Sequence, residues 1–292
     1  MSYQVLSLKL RPQRFDEVVG QTHVTRTLQN AIGLDRVAHG YIFSGPRGVG
    51  KTTTARILAK VLNCRNPKDN NPCGTCVNCT EITQGSNLDV QELDGASNRG
   101  IDEMRDLREA VKYPPNNSKY RIYIIDEVHM LTREAFNALL KTLEEPPPHV
   151  IFIMATTDAH KVPATILSRT QRFDFKHISI NDISEYLKQI LESENIKYDT
   201  DGIRLIAQKA DGSLRDSLSL LDQTIAYASD GLDVETILDV LGIIKENVFL
   251  NIIQTIEKRD HKEVIHQLCQ LIDAGYAISD FISGFNEFLR KK

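Results

Sequence analysis

The run Gly45-Pro46-Arg47-Gly48-Val49-Gly50-Lys51-Thr52 constrains this 292-residue chain more than any other feature. It fits G-x-x-x-x-G-K-[ST], with an apolar strand pattern before it (Tyr41-Ile42-Phe43) and a helical pattern after it (Thr53 to Leu62). In a strand–loop–helix context the glycines let the backbone curl so that successive N–H groups point at phosphate oxygens, and the helix adds the positive end of its dipole. Lys51 then reaches the β and γ phosphates of a nucleotide, and the Thr52 hydroxyl ligates Mg²⁺. An ordinary glycine-rich turn is the competing reading, and both flanks speak against it.

A second segment completes this site. Arg121-Ile122-Tyr123-Ile124-Ile125 is an apolar strand ending in Asp126-Glu127. A buried strand delivers such acids at its carboxyl end, where ligands bind in open α/β sheets. Asp126 is expected to hold Mg²⁺ and Glu127 to polarise an attacking water. His129 reads as a structurally satisfied histidine that could tune Glu127.

Of five cysteines, four fall in the pattern C-x₈-C-x₂-C-x₂-C: Cys64, Cys73, Cys76 and Cys79. The short spacings let thiolates converge on one tetrahedral ion, and Pro72 and Gly74 suit the turns this needs. The segment has little apolar content, so metal supplies what its side chains cannot. Structural Zn²⁺ is expected, with all four positions filled. Cys269 falls on a helical apolar face and is expected in the core.

The rest of the chain sets the architecture. At roughly 150 residues per domain, its length suggests about two domains. Apolar residues make up 41% and the net charge is −4, which excludes a disordered chain and a uniformly basic nucleic-acid coat. No apolar run approaches the roughly 20 residues of a membrane span. Met1-Ser2-Tyr3-Gln4 carries no apolar signal core, so the chain is expected to start here and to be cytoplasmic. β-type runs at Gly40–Ser44, Asp89–Leu93, Arg121–Ile125, Val150–Ala155 and Gln171–Phe175 alternate with helical patterns, which implies a mainly parallel five-stranded sheet covered on both faces. After about Ile180 the pattern is helical, with Asn181, Thr200, Ser213 and Asp233 as expected caps. From about Lys245 the apolar faces are too few to close a core.

These motifs together resemble the clamp-loader ATPase family of bacterial DNA polymerase III, the gamma/tau type, within the AAA+ proteins. The resemblance covers essentially the whole chain. It is carried by Leu10-Arg11-Pro12, Val18-Val19-Gly20-Gln21, the phosphate loop, the four cysteines, Ile125 to Met130, Asn137 to Pro147, Ala155-Thr156-Thr157, Ser168-Arg169-Thr170 and Gly212-Ser213-Leu214-Arg215-Asp216. The cysteine insertion separates the chain from archaeal and eukaryotic loader subunits. Where the family reads Ser-Arg-Cys, this chain has Thr170.

The resemblance implies a P-loop AAA+ domain with a zinc module at 64–79 over residues 1–179, a helical lid over 180–242, and the start of a helical collar over 243–292, truncated relative to the family. It implies an ATPase that works in the DNA polymerase III holoenzyme with ATP, Mg²⁺ and structural Zn²⁺. Its partners would be the other subunits of a hetero-pentameric ring, the sliding clamp and primer–template DNA, with no membrane. Thr157 would be sensor 1, Arg215 sensor 2, and Arg169 an arginine finger acting in trans on a neighbour's nucleotide. Two competing functions are weaker. A scaffold that binds nucleotide without turnover conflicts with the intact Lys51, Thr52, Asp126 and Glu127. A zinc-ribbon module on nucleic acid conflicts with Asp69 and Glu81, which offset Arg65 and Lys68.

Overall fold

The apolar runs become one fully parallel sheet. The computed structural model describes residues 4–228 and 231–291. In chain order the elements are α1 (Leu6–Lys9), α2 (Thr22–Gly33), β1 (Gly40–Ser44), α3 (Lys51–Asn63), α4 (Val77–Gln84), β2 (Val90–Asp94), α5 (Ile101–Ala110), β3 (Arg121–Asp126), α6 (Arg133–Glu144), β4 (Val150–Thr156), α7 (Ala164–Leu167), β5 (Gln171–Asp174), α8 (Ile180–Ser193), α9 (Thr200–Lys209), α10 (Leu214–Tyr227), α11 (Val234–Leu241), α12 (Glu246–Glu257), α13 (His261–Asp273) and α14 (Ile278–Lys291). The strand order is β2-β3-β4-β1-β5.

Successive residues of each central strand serve opposite cores. Ile122 and Ile124 of β3, Ile151 and Ile153 of β4, and Tyr41 and Phe43 of β1 join Val24 and Leu28 of α2 and Ile57 and Leu58 of α3. Tyr123 and Ile125, Phe152 and Met154, and Ile42 join Met104 and Leu107 of α5 and Phe136 and Leu139 of α6. Both faces are therefore dry, which is why these runs show no polar alternation. Each such burial contributes about 1.5–3 kcal/mol. The edge strand β2 keeps Gln91 and Glu92 exposed, which blunts an edge that would otherwise template pairing. Ser44 stands opposite Thr156, and Asp94 opposite Asp126, so the strands end in step at the side where ligands bind open α/β sheets.

The chain forms two compact units. The sheet unit runs to Ile183 and also takes Asp211–Asp216; the helical unit takes Ser184–Ala210 and continues from Ser217. Within the helical unit, α12 and α14 gather around Phe249, with the rings of Phe281, Phe285 and Phe288 at 5.7, 5.9 and 5.7 Å. Among the described residues no helix is long and apolar enough to cross a membrane.

Two expected caps and one expected core residue are corrected here. α8 is capped by the Ser179 hydroxyl, which accepts from Asp182 N at 3.1 Å, so Asn181 lies inside the first turn. α9 is capped by Asp199, which accepts from Asp201 N at 2.8 Å, so Thr200 is already helical. In both cases a competent acceptor one or two residues earlier takes the N–H first. Ser213 and Asp233 do cap, accepting from Asp216 N and Thr236 N. Cys269 is exposed. At about 100° per residue it sits about 140° from the half-buried stripe of Val264, Leu268 and Leu271 on α13, so it shares the helix but not the covered face.

Candidate functional site

The loop between β1 and α3 is shaped by its neighbours as much as by its glycines. Gly48 has φ 74°, and a Cβ there would strike the Ser213 hydroxyl; Gly48 O accepts from Arg215 N at 3.3 Å. The segment 211–216 thus lies against the phosphate loop and brings Arg215 beside it. Val49 is buried, and Arg47 is exposed, 3.9 Å from Asp216. Lys51 is buried, and its ammonium donates to Gly45 O at 2.9 Å and Pro46 O at 2.6 Å. Burial pushes this ammonium below the ordinary lysine value, against the pull of Glu127 and Asp126. Gly50 leads into α3, whose first turn carries Lys51 and Thr52.

The two sequence segments of the site meet directly. Thr52 Oγ1 donates to Asp126 Oδ2 at 2.6 Å, and Asp126 Oδ1 accepts from Glu127 N at 2.9 Å. Glu127 adopts φ 46°, a left-handed turn that lifts it out of β3. Its Oε2 accepts from Thr157 N at 3.3 Å and Thr157 Oγ1 at 3.1 Å. Thr52, Asp126, Glu127 and Thr157, from three separate strand ends, therefore form one hydrogen-bonded set, with Lys51 next to Thr52 on α3.

Arg169 stands elsewhere. Its guanidinium donates to Glu144 Oε1 at 2.7 Å and Thr165 O at 2.8 Å. Its carbonyl borders Gly40, the first residue of β1, whereas the phosphate loop follows the last. At about 3.3 Å per residue, β1 separates Gly40 from Gly45 by about 16 Å.

The four cysteines of the insertion also come together. Cys64, at the carboxyl end of α3, joins Cys73, Cys76 and Cys79 with all sulfurs within 4.8 Å of one another. A tetrahedral thiolate site with Zn–S of about 2.3 Å needs sulfurs about 3.8 Å apart, so this donor set fits Zn²⁺. Cys73 N donates to Cys64 Sγ and Cys76 N to Cys73 Sγ, both at 3.3 Å. The Thr75 N–H, chiefly, lowers the Cys73 thiol to about 6.

Sequence reasoning missed two contributors. Gly95 packs so closely that a Cβ would lie 2.7 Å from Glu127 O, and its N–H donates to Asp126 O at 2.8 Å, which fixes the turn that presents the acids. Its signal was the Asp94-Gly95 turn dipeptide after β2. Thr156, buried at the end of β4, takes the His129 ring at 3.0 Å. Nothing local marks it apart from its neighbour Thr157.

Comparison with solved structures bears on the fold. The chain matches the Thermotoga maritima RuvB Holliday junction branch migration motor with TM-score 0.61 at 18% identity, covering 97% of this chain and 91% of that one. The two share one fold. A family model described as DNA polymerase III, delta subunit, matches residues 20–179, and one described as DNA polymerase III clamp loader subunit, ATPase lid domain, matches 182–230. The chain is 47% identical over its whole length to DNA polymerase III subunit tau of Bacillus subtilis, covering 53% of that protein. It is 42% identical to subunit gamma of Buchnera aphidicola from Acyrthosiphon pisum, over 99% of this chain and 80% of that one. It is 46% identical to subunit tau of Escherichia coli K12, over 91% of this chain and 41% of that one. The chain belongs to the tau/gamma family of DNA polymerase III clamp-loader subunits. It spans about half the length of the tau subunits it matches.

Proposed function

We propose that this chain is the ATP-driven part of a replicative clamp-loader subunit. It would couple ATP binding and hydrolysis to loading of the sliding clamp on primer–template DNA, as a cytoplasmic member of a hetero-pentameric ring within the DNA polymerase III holoenzyme. The observation that carries the reading is the 2.6 Å bond between Thr52 and Asp126, which ties the phosphate loop to the acid at the end of β3 with Glu127 next in line. Residues Gly45 to Thr52 would wrap the phosphates, and Lys51 would neutralise the β and γ groups. Thr52 and Asp126 would hold Mg²⁺, which lowers the charge barrier to phosphoryl transfer. Glu127 would take a proton from the attacking water. Thr157, already on Glu127, would sense the γ-phosphate as sensor 1, and Arg215, whose backbone meets the phosphate loop, would couple the lid to nucleotide as sensor 2. The cysteine set would hold a structural Zn²⁺. Residues 1–179 would act as the nucleotide domain, 180–242 as the lid and 243–292 in a helical collar.

Arg169 would act in trans. An arginine side chain cannot span the length of β1 to its own phosphate loop, whereas a permanently charged fork at the far edge of the domain suits a neighbour's site. In mixed assemblies, Arg169→Ala subunits should keep their ATP affinity while turnover at the adjacent site falls about a thousandfold. An equal loss in dilute monomeric protein would assign Arg169 to its own site.

The test of the whole reading is ATP turnover, measured for the protein alone and then with the other loader subunits, clamp and primed DNA. Glu127→Gln should bind ATP with wild-type affinity, hydrolyse it at least about a hundredfold more slowly, and retain clamp and DNA. Wild-type turnover in that variant overturns the reading.

A further inference from the structure

We propose that His129 is a positioning residue for Glu127, its ring held by Thr156 at the end of β4 and set against the Glu127 carboxylate. It rests on the reading of Glu127 as the base that activates water. The ring of His129 is 10% exposed, and its Nδ1 lies 3.0 Å from Thr156 Oγ1 and 3.3 Å from Glu127 Oε2. A lone pair on Nδ1 would face the carboxylate and repel it, so Nδ1 carries the hydrogen. Thr156 is fully buried, and its hydroxyl also accepts from Asp158 N at 3.0 Å, so the anchor is fixed from both sides.

The consequence lies at the carboxylate. Oε2 of Glu127 receives Thr157 N and Thr157 Oγ1 and has the edge of the His129 ring against it, Nδ1 standing 3.3 Å away while its hydrogen bond runs to Thr156. Among the described residues no protein donor is recorded on Oε1, which remains the oxygen able to take a proton. Glu127 leaves β3 through a left-handed turn and has no helix or strand of its own to orient it. Thr157 alone gives a hinge at one oxygen. The imidazole on the other side of that oxygen stops the carboxylate from swinging and fixes where Oε1 points. A base misplaced by an ångström can lose about a hundredfold in rate while substrate affinity is unaffected. His129 touches neither phosphate nor water in this scheme and acts only through Glu127.

The test compares His129→Leu, which fills the space without a donor, with His129→Asn, whose side-chain amide can offer an N–H where Nδ1 stands. Both are assayed in the full protein assembled with its partner subunits, clamp and primed DNA, with ATP affinity and melting temperature measured alongside. His129→Leu should lower kcat about ten- to a hundredfold with ATP affinity within about twofold of wild type. His129→Asn should recover most of that loss. Thr156→Val, which removes the anchor and leaves the ring, should lower kcat about threefold in the same pattern and serves if His129→Leu does not fold. Wild-type kcat in His129→Leu, or equal losses in Leu and Asn, overturns the proposal. Glu127→Gln run in parallel separates the levels. If it stalls while His129→Leu does not, only the positioning role falls; if it turns over normally, the base assignment falls and takes this inference with it.

Discussion

At its amino end, α3 grows out of Gly50 and carries Lys51 and Thr52, whose side chains reach the carbonyls of Gly45 and Pro46 and the carboxylate of Asp126. At its carboxyl end the same helix stops at Asn63 and hands the chain to Cys64. The amino end is tied to a remote segment as well as to its own loop, with Asp126 74 residues on from Thr52. The carboxyl end is organised by a local set, Cys64 to Cys79, that a single ion can tie together. In the proposed reading the helix is the boundary between a reacting site built on the sheet and a module that thiolates around one ion would order. If that division is sound, lesions at the amino end remove chemistry and spare the fold, and lesions at the carboxyl end do the reverse.

The largest expected effect is that of Lys51→Ala. The side chain is buried among backbone carbonyls with two carboxylates near it, so no solvated cation can substitute for it. ATP turnover should fall by at least about a thousandfold, with a melting temperature close to wild type. Unchanged turnover would break the comparison at its amino end. Next is the metal. Freshly purified, reduced protein should carry one Zn²⁺ per chain. Cys76→Ser, or a strong chelator, should open residues 64–79 to limited proteolysis while ATP turnover stays within about threefold of wild type. Proteolysis at the same rate with and without zinc would show that the module orders itself.

Much of this division could be read in advance, and for a physical reason. A phosphate loop needs glycines, a lysine and a threonine at fixed spacing, and a four-thiolate site needs cysteines at short spacing, so both leave local patterns. The strands could be placed because β1, β3 and β4 are dry on both faces. Groups whose partners are remote and whose types are common in loops left no pattern. Gly95 under Glu127, Thr156 behind His129, and the ties of Asn63 to Tyr120 and of Asp89 to residues 116–118 all depend on segments brought near by the sheet. Cys269 failed for the opposite reason: the periodicity of α13 was real, but only one side of it is covered.

The cysteine segment begins where α3 ends at Asn63 and leads back to the sheet at Asp89, and both ends are tied to the same stretch of chain before β3. The Asn63 amide donates to Tyr120 O at 3.0 Å and accepts from Tyr120 N at 2.9 Å, while Asn63 O accepts from Asn78 at 2.7 Å. Asn63 is 3% exposed, and Asn63→Ala takes the partner from the N–H and C=O of half-buried Tyr120, so it should cost about 2–3 kcal/mol in urea unfolding. ATP affinity should stay within about twofold, because the strain falls at the far end of α3. An affinity loss as large as the stability loss would show that the two ends of the helix are coupled.

The smallest effect sharpens the same point through pH. Asp89 is 2% exposed and its carboxylate accepts from Asn116 N at 2.7 Å, Asn117 N at 2.9 Å and Ser118 N at 3.0 Å. Burial by itself would raise this carboxyl, but the backbone N–H groups outweigh it and hold it below the ordinary carboxylate value. A depressed folded value means that the ionised form stabilises the fold above the unfolded carboxylate pKa, and that this stabilisation is lost as pH falls through the folded one. Asp89→Asn, which keeps the shape but loses the charge, should therefore cost about 2 kcal/mol at neutral pH and nothing once the wild-type carboxylate is protonated. The measurement is urea stability of both proteins from neutral pH down into the acid range. Curves that converge in acid support the clamp. A constant offset across the range would mean that Asp89 stabilises by shape alone, and the return of the cysteine segment into β2 would then be held by Asn63 and the ladder to β3.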